Sequence, residues 1–234
     1  MIKRKRLGQH FLNSNSIANL IASEAKITKK DTVYEIGTGL GILTPLLCKK
    51  AKNVISIDTD NELYKNARSQ FGDIVNLILK HGDGFKAKDD FTIFVSNLPY
   101  SKSKIAIELL AQRDFSHGVI MVQKEFAEKL FVKHSKQRRS VTVIANYTME
   151  LHKICDVSKN NFDPPPKIDS VILRITKKQT IDKKLVETLN QIFSYRRKTI
   201  QNISKQFGKD ITSDKRLDDL TVEEIIDLGK ELLR

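Results

Sequence analysis

"YEIGTGLG", residues 34 to 41, is the stretch on which the fold turns. The run Val33–Ile36 is short, apolar and strand-like. It breaks into Gly37-Thr38-Gly39-Leu40-Gly41 and then a helix-like Ile42-Leu43-Thr44. Strand, glycine turn and helix in that order begin a βα unit whose backbone N–H groups gather at a helix N-terminus. Glycines there let a ligand lie against the backbone. The spacing is GxGxG. A dinucleotide fingerprint, GxGxxG, needs glycine at position 42, where this chain has Ile42. GxGxG after a strand ending in Glu35 fits a nucleoside cofactor without a pyrophosphate, although such a turn is often only a tight strand-to-helix connection.

Outward from this turn, Val54–Ile57, Val75–Leu79, Phe91–Val95 and Val119–Val122 read as further buried parallel strands. Helical spacing fills the gaps. Ile17, Leu20, Ile21 and Ala25 form one face, capped by Asn13 or Ser14, and Ile105, Leu109 and Leu110 form another. Alternation of this kind predicts an α/β fold with a doubly wound, Rossmann-like, mostly parallel sheet. Val141–Tyr147 and Val171–Ile175 are expected as an antiparallel hairpin at one edge, joined through Pro164-Pro165-Pro166. Past residue 177 the strand signal stops. Asp182 can cap a helix carrying Leu185, Leu189, Ile192 and Phe193, and Ile200, Ile203 and Phe207 follow before Gly208. Thr221 and Glu224 form a capping box inside a Leu220–Ile225 staple. Two domains are expected, residues 1–177 and a small helical 178–234.

Three more strand ends carry polar residues. "ISIDTD" ends in Asp58, 21 residues beyond Gly37, where a carboxylate can accept both ribose hydroxyls. No basic neighbour is placed to pair with a 2′-phosphate. The next strand runs into His81-Gly82-Asp83-Gly84-Phe85, where Asp83 can accept from the amino group of an adenine. Loop, ribose acid and adenine acid on three successive strand ends predict S-adenosyl-L-methionine. The fourth strand delivers Asn97-Leu98-Pro99-Tyr100 to the same edge. An adenine amine is a poor nucleophile because its lone pair is delocalised into the ring. The Asn97 and Leu98 carbonyls can hold its hydrogens, with the turn stiffened by Pro99. Tyr100 can stack on the base. A proline turn with an aromatic in the core is the competing reading of the same four residues.

Lysine and arginine total 41 against 28 acidic residues, a formal charge of +13 over 234 residues. A protein this basic commonly meets a polyanion, the alternative being a solvated lysine-rich surface. Lys3–Arg6, Lys133–Arg139 and Arg196–Lys198 are the candidate clusters. No apolar run is long enough to span a membrane, and no signal peptide is evident, so a cytoplasmic protein is expected. Two distant cysteines read as free thiols, and five scattered histidines give no metal site.

"GQHFL" (8–12), "EIGTGLG" (35–41), Asp58, Asp83, "NLPY" (97–100), "FDPPPKIDS" (162–170) and "FSYRRKTIQN" (193–202) together make the chain resemble the ribosomal RNA adenine dimethyltransferase family over nearly its whole length. The resemblance implies a class I methyltransferase sheet. It implies a cofactor site of Gln9, His10, Leu12, Glu35, Gly37, Gly39, Gly41, Asp58, Asp83 and Asn97, with Gln9 and the glycine loop around the methionine part. It makes Asn97, Leu98, Pro99 and Tyr100 the catalytic tetrad, and Phe162 the ring that faces Tyr100 across a flipped-out adenine. Lys3, Arg4, Arg138, Arg139, Arg196, Arg197 and Lys198 would meet RNA. Asp58 stands where many relatives have Glu, and His10 where Asn is commoner, a change expected to matter little. The housekeeping branch is the nearer likeness, which implies a monomer dimethylating two adjacent adenosines in the 3′-terminal hairpin of small-subunit rRNA within a pre-ribosomal particle. Large-subunit dimethylation with macrolide resistance, and a non-catalytic assembly or transcription factor on the same fold, are the alternatives.

Overall fold

β-Branched runs become strands because such side chains suit a pleated, buried surface, and the segments between them close as helices on short polar caps. The computed structural model describes residues 10–132 and 137–234; Lys3, Arg4, Gln9 and the Lys133–Lys136 part of the second basic cluster lie outside them. In chain order the elements are β1 (Phe11–Leu12), α1 (Asn15–Glu24), β2 (Thr32–Ile36), α2 (Thr44–Lys50), β3 (Asn53–Asp58), α3 (Asn61–Phe71), β4 (Leu77–His81), β5 (Ile93–Asn97), α4 (Ser103–Gln112), β6 (His117–Gln123) and α5 (Lys124–Leu130). They continue with α6 (Ser140–Thr148), β7 (Met149–Val157), β8 (Phe162–Asp163), β9 (Ser170–Lys177), α7 (Lys183–Ser194), α8 (Ile200–Ser204) and α9 (Val222–Leu233).

The main sheet runs β4-β3-β2-β5-β6-β9-β7. β4, β3, β2, β5 and β6 are parallel, and β9 lies antiparallel on β6 with Gly118 opposite Ile175. The chain starts in the middle at β2, walks out to β4, then returns to β5 on the other side of β2. That reversal is the switch point of a doubly wound sheet, and a crevice opens there beyond the carboxyl ends of the strands. The fold therefore places the site between the ends of β2 and β5.

Ile21 of α1, Leu47 of α2, and Val33, Val54, Ile93 and Met121 of the strands are fully buried in one core, each contributing roughly 1.5–3 kcal/mol by leaving water. The caps act where the residue types predicted. Ser14 accepts from the Ile17 N–H, Asp182 from the Leu185 N–H at 2.7 Å, and Thr221 and Glu224 cap each other at 3.2 and 2.7 Å.

Two elements depart from the sequence reading. β4, expected over Val75–Leu79, begins at Leu77 and leaves Val75 exposed. Residues 141–147, expected as a strand, form α6, and the second edge strand is β7, Met149–Val157. Ser140 to Ala145 and Thr148 are all buried. A run enclosed on every side loses the alternation that separates strand from helix. Two of its polar side chains turn to the helix's own carbonyls: Asn146 donates to the Thr142 carbonyl at 2.8 Å and the Thr148 hydroxyl to that of Ile144 at 2.6 Å.

Two compact units emerge. The first comprises Met1–Ala106, Asp114–Ala127 and Leu151–Lys177; the second comprises Ile107–Arg113, Glu128–Glu150 and Lys178–Arg234. Within the second, α6, α7 and α9 pack on one another around buried Leu189, Ile192, Ile225 and Ile226. Gly229 lets α9 approach α7, since an added Cβ would lie 3.0 Å from Leu185. No helix among the described residues is long and apolar enough to cross a membrane.

Candidate active site

A cavity of about 340 Å³ opens at the β2–β5 switch point, within the range of small-molecule sites. The glycine loop forms one wall. Gly39 has φ +57° and donates its N–H to Asp58 Oδ2 at 2.9 Å. Gly41 has φ +80°, and an added Cβ would sit 2.2 Å from the Phe71 ring. Neither position accepts a side chain without strain.

Asp58 ends β3 and is buried. Its Oδ1 accepts from the Asp60 N–H at 2.9 Å, so each oxygen already holds one backbone donor. Burial pushes its pKa up, opposed by those two hydrogen bonds. An ionised carboxylate takes about four donors, which leaves capacity for two ribose hydroxyls. Asp83 is exposed on the cavity rim; its Oδ1 accepts from the Phe85 N–H at 3.0 Å, and Lys86 stands 3.8 Å from Oδ2.

Glu35, at the end of β2, is buried. Its Oε2 accepts from Thr44 and Ser56, each at 2.7 Å, and Ser56 in turn shares a 2.7 Å hydrogen bond with Thr38 of the loop. Burial pushes the Glu35 carboxyl up to about 7, those two hydroxyls pulling down and the Asp58 charge pushing up. The network ties β2, the glycine loop, α2 and β3 at one point. The sequence reading gave Thr38, Thr44 and Ser56 no role of their own.

β5 presents the tetrad. Ser96 pins the strand by donating to the Ile36 carbonyl at 2.6 Å. Leu98 N–H reaches the Met121 carbonyl at 3.3 Å, and Pro99 starts a short 3₁₀ turn closed by Lys102 N–H at 2.8 Å. Asn97, Leu98, Pro99 and Tyr100 all line the cavity. Among the described residues, nothing hydrogen-bonds the Asn97 side-chain amide or the Leu98 carbonyl. Tyr100 is fixed by its hydroxyl, 2.8 Å from the Ser170 hydroxyl, and burial raises its pKa.

The "GQHFL" and "FDPPPKIDS" stretches meet through β1, which pairs antiparallel with β8: Leu12 opposite Phe162, Phe11 opposite Asp163. Leu12 is buried and lines the cavity. Phe162 is 2% exposed, within the core cluster that holds Leu12, Val157 and Ile172, and it does not line the cavity. The ring that faces Tyr100 is His10, with centroids 5.6 Å apart and planes inclined by 28°. Its Nδ1 is 2.7 Å from the Pro164 carbonyl. Phe162 itself packs beside Leu12, its partner across β1 and β8, and not against the Tyr100 ring.

Of the expected RNA contacts, Arg138 is a correction. It is 1% exposed and its guanidinium donates to the carbonyls of Leu217 and Leu220, so it ties the second unit together instead of facing solvent. Arg139 and Arg196 are half-buried, and Arg197 and Lys198 are exposed, the Lys198 ammonium standing 5.0 Å from the Tyr195 ring centre. Lys102, which the sequence reading passed over, is the one lysine or arginine that lines the cavity among the described residues.

The residues present fit a nucleoside cofactor. The glycine loop is open to close approach, Asp58 has accepting capacity left, and no arginine or lysine stands in the loop to hold a pyrophosphate. Sheet order and site together define a Rossmann-like class I methyltransferase. The family model described as ribosomal RNA adenine dimethylase matches residues 2–233, and the chain belongs to that family. A ribosomal RNA small subunit methyltransferase A of Thermotoga petrophila is 35% identical over 241 residues, covering 99% of this chain and 92% of the relative. The crystal structure of a dimethyladenosine transferase from Plasmodium falciparum is 28% identical, with a TM-score of 0.79 over 96% of this chain and 98% of that one. The crystal structure of the 23S rRNA methyltransferase ErmE, 21% identical with a TM-score of 0.68 over 96% of this chain and 100% of that one, shares the fold. The protein is an enzyme that methylates adenine in ribosomal RNA, with S-adenosyl-L-methionine as donor.

Proposed function

We propose that the enzyme dimethylates the 6-amino groups of two adjacent adenosines in the 3′-terminal hairpin loop of small-subunit rRNA, acting as a cytoplasmic monomer on a pre-ribosomal particle. The observation that carries the chemistry is the pair of open acceptors, the Asn97 amide oxygen and the Leu98 carbonyl, on the wall of the cavity that holds the glycine loop and Asp58. Small-subunit relatives at about one-third identity over almost their full length support the choice of RNA.

S-adenosyl-L-methionine, when bound, supplies a methyl group on a positively charged sulfur. Everything else falls to the chain. Asp58 takes the ribose hydroxyls and Asp83 the adenine amino group, while the glycine loop lies along the methionine part. Asn97 and Leu98 accept the two hydrogens of the target amine and favour a pyramidal nitrogen whose lone pair is directed outward. Pro99 holds both carbonyls in one orientation, so most of the acceleration is positional. An unpaired loop adenine is cheaper to extrude than one in a duplex, and Tyr100 stacks on it once extruded. Arg139, Arg196, Arg197 and Lys198, with Lys3 and Arg4, neutralise phosphates. Residues 1–177 carry the chemistry and 178–234 the ribosomal contacts.

Incubation with isolated small and large ribosomal subunits, followed by mapping of labelled adenines, tests this. Label on two neighbouring adenines near the 3′ end of the small-subunit RNA is expected; label confined to the large subunit would overturn the assignment.

A further inference from the structure

We infer that Lys102 holds a backbone phosphate of the target adenosine once its base has entered the cavity. The inference rests on the proposed function, in which an adenine comes to lie beside the tetrad, and gives that nucleotide a point of attachment outside its base.

Charge in the cavity is one-sided. Glu35, Asp58 and Asp83 all line it, and against them stands one cation, Lys102, among the described residues. An acidic wall suits a cofactor that carries positive charge on sulfur. It does not suit RNA. An adenosine still joined to its strand brings a phosphate on each side of its sugar to the mouth, and an anion arriving beside carboxylates is repelled unless a cation meets it. Lys102 is placed for that, two residues beyond the ring that takes the base.

The Lys102 ammonium is uncommitted. Among the described residues no carboxylate, carbonyl or ring engages it, whereas Lys86 stands 3.8 Å from Asp83 at the rim and Lys80 is paired with Asp89. Its backbone, by contrast, is fixed. The Lys102 N–H donates to the Pro99 carbonyl at 2.8 Å, and the fully buried Ser103 donates its hydroxyl to the Tyr100 carbonyl at 3.0 Å. Tyr100 and Lys102 therefore ride on one rigid turn, and a flexible four-carbon stem carries the charge outward from it. The next helix offers no reason for a cation here. α4 begins at Ser103 with no acidic residue in its first turn, so Lys102 stands at the positive end of the helix dipole. A residue that its local structure disfavours, at the edge of a site, points to a role in the site.

Position selects phosphate over the cofactor's own carboxylate. The methionine part lies along the glycine loop after β2, while Lys102 follows the tetrad after β5. The contact forms only when the base leaves its loop, after the particle has docked. It stabilises the extruded state and is read in the rate at saturating particle.

The test uses the full-length protein and the ribosomal subunit that the wild-type enzyme methylates. Lys102→Gln and Lys102→Arg are compared with wild type for the single-turnover rate at saturating particle, for KM, for S-adenosylmethionine affinity by calorimetry and for thermal unfolding. Lys102→Gln is expected to lower the saturating rate about tenfold, the scale of one hydrogen bond to a charged group, and the deficit should shrink as potassium chloride is raised. KM and cofactor affinity should stay within about threefold, and unfolding should not move. Lys102→Arg keeps the charge and should recover the rate to within about threefold. Lys102→Gln as fast as wild type, or slower by one factor at every salt concentration, would overturn the inference. So would a tenfold loss of cofactor affinity, which would give the ammonium to the cofactor carboxylate, or a rise in KM alone, which would give it to a phosphate remote from the target. Wild-type protein that methylates neither subunit would instead defeat the functional reading itself, a result separable from all of these.

Discussion

β2 and β5 end at the same cavity and treat their polar groups in opposite ways. At the end of β2, Glu35 is enclosed and takes two hydroxyl donors, and through Ser56 it reaches the glycine loop. At the end of β5, Asn97 and Leu98 are held by the backbone, yet their carbonyl oxygens engage nothing in the described chain. A buried polar group without a partner costs about 1–3 kcal/mol, so the Glu35 cluster is completed internally and serves the shape of the loop. The β5 acceptors belong to residues that line the cavity, Asn97 half-buried and Leu98 buried, and on the proposed function their donors arrive with the substrate. Framework and chemistry are thus divided between neighbouring strands.

The contrast breaks most visibly at Asn97. Asn97→Ala is expected to lower the single-turnover rate of methyl transfer by about 10²–10³-fold, the scale of one lost positioned hydrogen-bonding group. Cofactor affinity should stay within about threefold and the unfolding temperature should not move. Parallel losses of rate and stability would place Asn97 with the framework.

Glu35 should behave in the reverse manner. Its carboxyl titrates near 7 in the folded protein against an ordinary 4.5. A carboxyl that holds its proton more tightly when folded stabilises the fold fully below pH 4.5, and that contribution is lost as pH rises to about 7. The loss is roughly 3 kcal/mol at about 1.4 kcal/mol per pH unit. Glu35→Gln stays neutral throughout. Urea unfolding from pH 5 to 8 should show wild type losing stability relative to the variant, chiefly between pH 5 and 7. Parallel pH profiles would show that Glu35 does not titrate there.

The same division appears on a smaller scale among the arginines of the second unit. Arg138→Met leaves the Leu220 carbonyl without its donor and the Leu217 carbonyl with the Leu220 N–H at 3.3 Å alone, and should cost about 2 kcal/mol of stability. Arg197→Ala should leave unfolding unchanged and reduce the salt dependence of RNA binding by about one ion. Equal effects of the two on unfolding would erase the distinction between a structural and a surface arginine.

What could be read from the sequence follows the range of the interaction that fixes it. Ser14, Asp182 and the Thr221–Glu224 box were legible because a cap acts over three residues. The glycine loop and Asp58 were legible because a βα turn fixes its own geometry and 21 residues return the chain to the neighbouring strand. α6 was missed because uniform burial of 140–145 removes the periodicity that separates helix from strand. That Phe162 packs in the core beside Leu12 was not legible, because it depends on the pairing of β1 with β8, some 150 residues apart, of which neither stretch bears a local sign. Arg138 looked like its neighbours in a basic run, and its partners lie about 80 residues downstream. A charge run does not reveal which member turns inward.

The central claim is geometric, and a crystal structure with S-adenosylhomocysteine and an adenosine nucleotide in the cavity would test it most directly. The account predicts the 6-amino nitrogen within hydrogen-bonding range, about 2.7–3.2 Å, of both the Asn97 amide oxygen and the Leu98 carbonyl, with its lone-pair side toward the cofactor sulfur. An adenine whose amino group bonds elsewhere, leaving both carbonyls without a donor, would contradict it.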